Sequence, residues 1–226
     1  MKLLLFDIDG TLLHAGGAGR RAIARVFGEH FRRHEVFDDV RFHGMTDRAI
    51  IRGGLERLGL ESDDAAIDAI CATYLAALAE EMPHSEGFAV CPGVPGLLDA
   101  LAGRDGIAIG LGTGNLREGA RIKLEHARLD HHFTFGGFGC DHEHRPSIVR
   151  IGAERGAARL GVPLASCRVV IIGDTPRDVE AALAIGAESV TVETSGTEAA
   201  ALRAAGATHV FPDLDRDGVL AALLAT

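Results

Sequence analysis

Short apolar runs and helically spaced apolar residues alternate over most of this chain. Runs of strand length are found at 3–6, 107–111, 133–135, 169–172, 189–192 and 209–211. Between the later runs, apolar residues recur every three or four positions, which predicts helices at 94–102, 116–127, 147–160, 178–185, 198–204 and 215–224. Strands that alternate with helices are typical of a mostly parallel sheet covered on both faces. The pattern therefore predicts an α/β fold with a doubly wound, Rossmann-like sheet.

Residues 16–87 carry the helical period alone. Their apolar positions fall into three groups: Ala22, Val26 and Phe27; Ile50, Ile51, Leu55 and Leu58; and Ile67, Ile70, Tyr74, Leu75 and Leu78. Ser62 is the candidate N-cap of the third helix. Flexible stretches at 14–19 and 84–88 bracket the segment like two hinges. We therefore expect an all-helical cap domain at 16–87, inserted into a core domain formed by 1–15 and 88–226.

Composition and charge narrow the classes of partner. The 226 residues are 47% hydrophobic, enough for a sizeable core, and the net charge of −9 lacks the basic character of a nucleic-acid binder. The first apolar run stops at Asp7, and no apolar stretch approaches the length of about 20 residues that spans a membrane. The four cysteines are scattered without CxxC spacing. We expect a cytoplasmic monomer or homodimer with reduced cysteines and no nucleic-acid or membrane partner.

Polar residues follow the first two long apolar runs of the predicted sheet. Asp7 and Asp9 come directly after the first run, and side chains two positions apart on an extended backbone point to the same side. Gly10 then allows the chain to turn. Thr113 and Gly114 follow the second run and offer a hydroxyl and backbone N–H groups to an anionic oxygen. The carboxyl ends of parallel strands form the ligand-binding edge of such a sheet, so these groups are expected to converge there.

A third strand end adds two more carboxylates. Asp174 follows the run at 169–172, and Asp178 stands about one turn into the helix that Pro176 begins. Carboxylates suit Mg²⁺ and hydrogen-bond donors suit phosphate. A site that binds both also needs a cationic side chain for the phosphoryl oxygens. Of the two lysines, Lys2 lies at the far end of its strand, and Lys123 is about 12 Å along a helix from the strand end. Arg145, which precedes Pro146 at a helix start, is the better placed cation.

In this order, the motifs resemble those of the haloacid dehalogenase-like hydrolases with a helical cap inserted after the first motif. They are Asp7-x-Asp9-Gly10-Thr11, Thr113, Arg145-Pro146 and Gly173-Asp174-x-x-x-Asp178, and the resemblance covers the whole chain. Arg145 departs from the family pattern, which most often has lysine there. Because arginine stays charged and can bind two phosphoryl oxygens, we expect function to survive this change.

The resemblance implies a Mg²⁺-dependent phosphatase that acts on a small-molecule phosphate ester. Asp7 would attack phosphorus to form an aspartyl-phosphate, and Asp9 would protonate the leaving oxygen and later activate water. The remaining roles implied are Mg²⁺ binding by Asp7, the backbone carbonyl of Asp9, and Asp174; support of that site by Asp178 and Thr11; and phosphoryl binding by Thr113, Gly114 and Arg145.

Thr46, Asp47 and Arg48 stand at the start of a cap helix, with Thr46 or Asp47 as N-cap. By resemblance to capped phosphatases of the phosphoglycolate type, this helix start would face the catalytic cleft. Free N–H groups and the Arg48 guanidinium would suit a second anionic group, so a small phosphorylated acid is favoured over a neutral sugar phosphate.

Two alternative functions remain open from the residues. One is a phosphomutase of the same fold, although its hexose-phosphate members read Gly-x-Ser-Arg in the cap turn and this chain has Asp47 at the arginine position. The other is a non-catalytic phospho-receiver or binding module, which also combines Asp, Thr and Lys on a parallel sheet. Such a module needs neither the insertion nor an acid at Asp9.

Overall fold

The structure, a computed structural model, describes residues 1–225. Its strands are β1 (Lys2–Phe6), β2 (Leu13–Ala15), β3 (Phe88–Val90), β4 (Ile107–Gly112), β5 (Gly136–Gly137), β6 (Arg168–Gly173), β7 (Glu188–Val192) and β8 (His209–Phe211). Its α-helices are α1 (Ala18–Phe31), α2 (Asp47–Arg57), α3 (Asp64–Glu81), α4 (Val94–Leu101), α5 (Arg117–Ala127), α6 (Arg145–Leu160), α7 (Pro176–Ala184), α8 (Ala199–Ala204) and α9 (Val219–Leu224).

Six parallel strands form the main sheet, in the order β5-β4-β1-β6-β7-β8. The apolar run of β1 lies at the centre, and its residues face alternate sides of the sheet. Leu3 and Leu5 belong to a core cluster with α6 and α7, whereas Leu4 and Phe6 belong to the larger cluster on the opposite face. A strand buried on both faces reads as a continuous apolar run because neither face meets water. The predicted doubly wound α/β fold is confirmed.

Helices α1, α2 and α3 form the cap between β2 and β3. These two strands pair antiparallel, with Leu13 opposite Val90 and Ala15 opposite Phe88. The chain thus leaves the core and returns to it through one short ribbon. The helical periodicity buries Phe27, Ile51 and Leu78 inside the cap. We keep 16–87 as the proposed limits of this domain.

Two local predictions were wrong. The run at 133–135 is not a strand: Phe133 packs edge-to-face on Phe6 at 6.1 Å, and the edge strand is the following glycine pair. Glycine is required there because a Cβ at Gly137 would lie 1.9 Å from the carbonyl oxygen of Ile148 in α6. The N-cap of α3 is Asp63, whose carboxylate accepts the Ala66 N–H at 2.8 Å, rather than Ser62.

Two helix starts follow the prolines rather than the apolar period. Helix α6 begins at Arg145 and α7 begins at Pro176, each with proline in its first turn, whereas the apolar period alone predicts starts at 147 and 178. Arg145 is therefore the first residue of its helix, next to the sheet edge. No helix within residues 1–225 combines the length and the apolar character needed to cross a membrane.

Candidate active site

Three strand ends meet at one edge of the sheet. Phe6 of β1 pairs in register with Leu111 of β4 and with Ile172 of β6. The residues that follow these strands therefore lie side by side. They form the floor of a cavity of about 840 Å³ whose other wall is the cap. The core residues that line it include Asp7, Asp9, Gly114, Arg145 and Asp174.

Asp7 and Arg145 form a buried ion pair on the cavity floor. Arg145 Nη2 lies 2.6 Å from Asp7 Oδ2, and both side chains are almost fully buried. Burial raises the pKa of Asp7 to about 6, although the Arg145 charge opposes this shift and the charges of Asp178 and Asp9 add to it. Arginine at position 145 thus neutralises the first aspartate of the chain directly.

Asp7, Asp174 and Asp178 form a cluster in which carboxylate oxygens lie within 4.8 Å of one another. The Asp178 carboxylate has little capacity left to bind a cation, because it already accepts hydrogen bonds from Arg145 Nε at 2.8 Å and from the Thr175 hydroxyl at 2.7 Å. Burial, followed by the charges of Asp178 and Asp7, raises the pKa of Asp174 well above its ordinary value. An excess of buried carboxylate over nearby positive charge fits a hard divalent cation with oxygen ligands.

The turn after β1 orients Asp174. The Thr11 hydroxyl donates to Asp174 Oδ1 at 2.8 Å, which leaves Oδ2 for another partner. Gly10 adopts a φ of +82°, and a Cβ there would lie 2.4 Å from Asp174 Oδ2. Only glycine permits both the left-handed turn and the close approach. Thr11 and Gly10 therefore fix the carboxylate that the cluster leaves most available.

Thr113 lies behind the cavity floor and is bonded to Asn115. The Thr113 hydroxyl accepts hydrogen bonds from the Asn115 side chain at 2.8 Å and from its backbone N–H at 3.3 Å. A hydroxyl that accepts in this way keeps its own proton for donation to a further acceptor. Gly114, next in the chain, lines the cavity with its backbone.

A family model described as haloacid dehalogenase-like hydrolase matches residues 1–186. The chain belongs to this family. It is 30% identical over 221 residues to the phosphoglycolate phosphatase of Rhodospirillum rubrum, a match that covers 94% of this chain and 87% of that protein. The predictions of the family and of a hydrolase are confirmed.

Solved structures show the same fold over nearly the whole chain. CbbY from Rhodobacter sphaeroides in complex with phosphate is 22% identical, with 99% of each chain covered and a TM-score of 0.71. A hydrolase from Pseudomonas syringae is 21% identical, with 95% of each chain covered and a TM-score of 0.70. At these identities the likeness shows the fold alone.

Lys123 of this haloacid dehalogenase-like hydrolase lies in the site, although we predicted it to be too distant. Its Nζ donates to both carboxylate oxygens of Asp9, at 2.8 and 2.6 Å, and to Asn115 Oδ1 at 2.6 Å. Helical side chains point back toward the N-terminus, so the long Lys123 stem spans part of the distance measured along the axis. Positions 115, 119 and 123 are spaced one helical turn apart. This spacing is the sequence signal that could have placed Lys123 on the same side as Asn115.

Lys123 and Asn115 hold Asp9 in its charged form. Burial alone would raise the pKa of Asp9, but the Lys123 charge and the hydrogen bonds from Lys123 and Asn115 bring it below its ordinary value. Asn115 Nδ2 donates to Asp9 Oδ2 at 2.9 Å. The Asp9 side chain remains 45% exposed, whereas Lys123 is 4% exposed. Asp9 is thus a fixed carboxylate that faces the cavity.

The three predicted cap residues have different surroundings. Thr46 is the N-cap of α2 and accepts the Ala49 N–H at 3.2 Å. Asp47 lines the cavity, but its carboxylate accepts from the backbone of the core. Arg48 does not line the cavity, because its guanidinium is bonded to Asp64 and Asp68 of α3. The expected contact of Arg48 with a substrate anion is therefore not supported by this geometry.

Other basic side chains of the cap line the cavity instead. Arg41 and His43 line it from the loop between the first two cap helices. Arg20 of α1 holds this loop, since its guanidinium donates to the carbonyl oxygens of Phe37 and Val40. The sequence offered no periodic signal for these residues, because they lie in an irregular segment.

Proposed function

We propose that this chain is a Mg²⁺-dependent phosphatase that hydrolyses a small phosphate monoester through an aspartyl-phosphate on Asp7. The observation that carries the proposal is the Asp7–Arg145 pair at 2.6 Å, set beside the carboxylate cluster on the floor of a cavity closed by the cap. A nucleophilic carboxylate, a fixed guanidinium and a set of oxygen ligands for a cation are the groups that phosphoryl transfer requires. The relatedness to a phosphoglycolate phosphatase supports the same reaction class.

Asp7, Asp174 and the backbone carbonyl of Asp9 would hold the Mg²⁺, with Asp178 and Thr11 orienting the site. Bound there, the cation would supply positive charge for the phosphoryl oxygens. Arg145 keeps one oxygen of Asp7 paired, so the other is available to attack phosphorus. Arg145, the Thr113 hydroxyl and the backbone N–H of Gly114 would stabilise the charge that develops on the transferring group.

Asp9 would move the proton in both halves of the reaction. A phosphate dianion placed beside Asp9 disfavours a second negative charge, so substrate binding raises the proton affinity of that carboxylate. In the first half, a bond forms from Asp7 to phosphorus, the ester bond breaks and the leaving oxygen takes the proton of Asp9. In the second half, Asp9 takes a proton from water, which attacks phosphorus and releases orthophosphate and free Asp7.

This proposal predicts Mg²⁺-dependent release of orthophosphate from at least one member of a panel of phosphorylated metabolites. Release should fall to background when EDTA removes the cation and return when Mg²⁺ is added in excess. A panel in which no ester is hydrolysed would contradict the proposed function. Hydrolysis that continues unchanged in EDTA would leave a phosphatase but exclude the proposed cofactor.

We propose a small phosphorylated acid as the substrate class. The cavity of about 840 Å³ is of the size that binds small molecules, and Arg41 and His43 line its cap side. These groups replace Arg48 as the candidates for binding a carboxylate or second anionic group. The related phosphoglycolate phosphatase carries a substrate of this class in its name.

Arg41→Ala should raise the KM for a phosphorylated acid by about tenfold, the loss of one charged hydrogen-bond pair, and leave that for a neutral ester nearly unchanged. Arg48→Ala is the matched control, because its guanidinium pairs within the cap, and it should change neither KM. Steady-state kinetics on one phosphorylated acid and one neutral phosphate ester give the KM values of both variants. If Arg48→Ala raised the KM for the acid and Arg41→Ala did not, the substrate contact would lie at the start of α2 instead.

A further inference from the structure

The cap contacts the core where two helices begin. Helix α2 of the cap begins at Asp47, and α5 of the core follows the loop 113–116. The Asp47 N–H donates to the carbonyl oxygen of Gly114 at 2.9 Å, and Asp47 Oδ2 accepts the Leu116 N–H at 2.8 Å. Asp47 is 9% exposed. A single cap residue is therefore bonded on both sides of Asn115, within the loop that precedes α5.

Helix α5 lacks a capping side chain of its own. Its N-cap is Leu116, which makes no side-chain capping bond. In a capping box, an acidic or amide side chain at the third helical position accepts the N–H of the N-cap residue, and in α5 that position is Gly119. A Cβ at Gly119 would lie 3.6 Å from Asp47 Oδ2. The Asp47 carboxylate therefore accepts the Leu116 N–H in place of a side chain at position 119, and it lies close to where that side chain would be.

The N-terminus of helix α7 can be compared with that of α5 within the same chain. Helix α7 follows β6, which lies on the opposite side of β1 from β4, and it carries a complete capping box formed by Thr175 and Asp178. Its N-terminus is therefore held by its own residues, whereas that of α5 depends on the cap.

Close packing and charge hold Asp47 against the loop. A Cβ at Gly114 would lie 2.6 Å from the carbonyl oxygen of Met45, so any larger residue there would separate cap and core. The Tyr74 hydroxyl donates to Asp47 Oδ1 at 3.4 Å, which gives each carboxylate oxygen a donor. A negative group between two helix N-termini is also favoured by both helix dipoles.

We propose that Asp47 is a positioning residue that latches the cap onto loop 113–116 and holds this loop in the conformation that accepts the phosphoryl group. The latch consists of the bonds from Asp47 to Gly114 and Leu116. It rests on the proposed function, in which Thr113 and Gly114 bind phosphate. Asp47 then links cap closure to phosphate affinity through loop 113–116, because both of its carboxylate oxygens already have donors, and the cap selects substrates partly by whether they permit the latch to form.

Asp47→Ala and Asp47→Asn separate the latch from other roles. In the full chain with Mg²⁺, calorimetric titration with inorganic phosphate should give a Kd about tenfold weaker for Asp47→Ala, since the Leu116 N–H loses its acceptor. Asp47→Asn keeps a side-chain oxygen for that bond and should bind phosphate almost as the parent does. A residue that only stabilises the fold would lower Tm in both variants and leave the phosphate Kd of the folded protein unchanged.

Amide hydrogen exchange provides a readout that does not depend on phosphate. Peptides covering 112–119 should exchange faster in Asp47→Ala than in the parent or in Asp47→Asn. Adding Gly119→Glu to Asp47→Ala supplies a capping-box carboxylate from within α5, and it should restore slow exchange and phosphate affinity together. Should Asp47→Ala fail to fold, Asp47→Ser replaces it, because the serine side chain is too short to reach Leu116.

If the amide exchange rates of Asp47→Ala equal those of the parent, the latch is contradicted, whatever the Kd for phosphate. Failure of the added Gly119→Glu to restore either property would also contradict it, since the missing bond would then not be what Asp47 provides. A parent protein that binds no phosphate would instead contradict the proposed function, and the exchange rates would still decide the latch.

Discussion

Asp7→Asn is expected to lower phosphate release by more than about a thousandfold, because the amide cannot act as the nucleophile that forms the aspartyl-phosphate. The substitution is nearly isosteric and removes a carboxylate whose pKa burial has already raised to about 6, so the fold should persist. Turnover of the best ester from the panel, measured with Mg²⁺ and corrected for folded fraction, provides the test.

Asp99→Asn is the matched control for this variant. Asp99 is an exposed residue of α4 that does not line the cavity, and its replacement should leave turnover at the parental rate. A folded Asp7→Asn protein that retains more than a few per cent of parental activity would exclude Asp7 as the nucleophile.

Arg145→Met is expected to destabilise the protein by about 3–5 kcal/mol, the cost of leaving buried carboxylates without their counter-charge. Arg145 is the guanidinium that pairs with both Asp7 and Asp178, and all three side chains are buried. The free energy of unfolding, measured by urea titration, provides the test.

The loss should be smaller at pH 5 than at pH 7.5. The raised pKa of Asp7 means that the folded state favours the neutral carboxyl, so stability is lost as the pH rises through about 6. Removing Arg145 strengthens this dependence, because the guanidinium is the group that opposes the shift.

Arg121→Met is the control for an exposed ion pair. Arg121 pairs with Glu118 and Glu125 on the surface of α5, where solvent screens the charges, so its replacement should change the free energy of unfolding very little. Equal losses of stability for the Arg145 and Arg121 variants would contradict the view that Arg145 balances buried charge.

The floor of the site could be predicted from the sequence because it depends on strand ends alone. Once the apolar runs are assigned to one parallel sheet, Asp7 and Asp174 must lie at the same edge, and the structure adds that their strands are neighbours. The same reasoning brings Thr113 to that edge. Pro146 marked a helix start, and hence the position of Arg145.

Contacts made by long side chains between elements could not be predicted in the same way. The distance along the helix axis alone predicts that Lys123 is too far from Asp9, whereas its long side chain reaches both carboxylate oxygens of Asp9. The position of Arg48 at a helix start predicts a contact with the substrate, whereas its partners Asp64 and Asp68 come from the neighbouring helix α3. Helix-to-helix pairing depends on how the cap packs, which periodicity does not specify.

Covalent catalysis by Asp7 can be tested directly by trapping the phosphoenzyme. The best ester of the panel, labelled in its phosphoryl group, is mixed with the protein and Mg²⁺ and quenched with acid during turnover. We expect protein-bound label that hydroxylamine releases, as it does from an acyl phosphate. This label should lie in the peptide that contains Asp7 and be absent from Asp7→Asn. Turnover without bound label at any quench time, or label on another residue, would contradict covalent catalysis by Asp7.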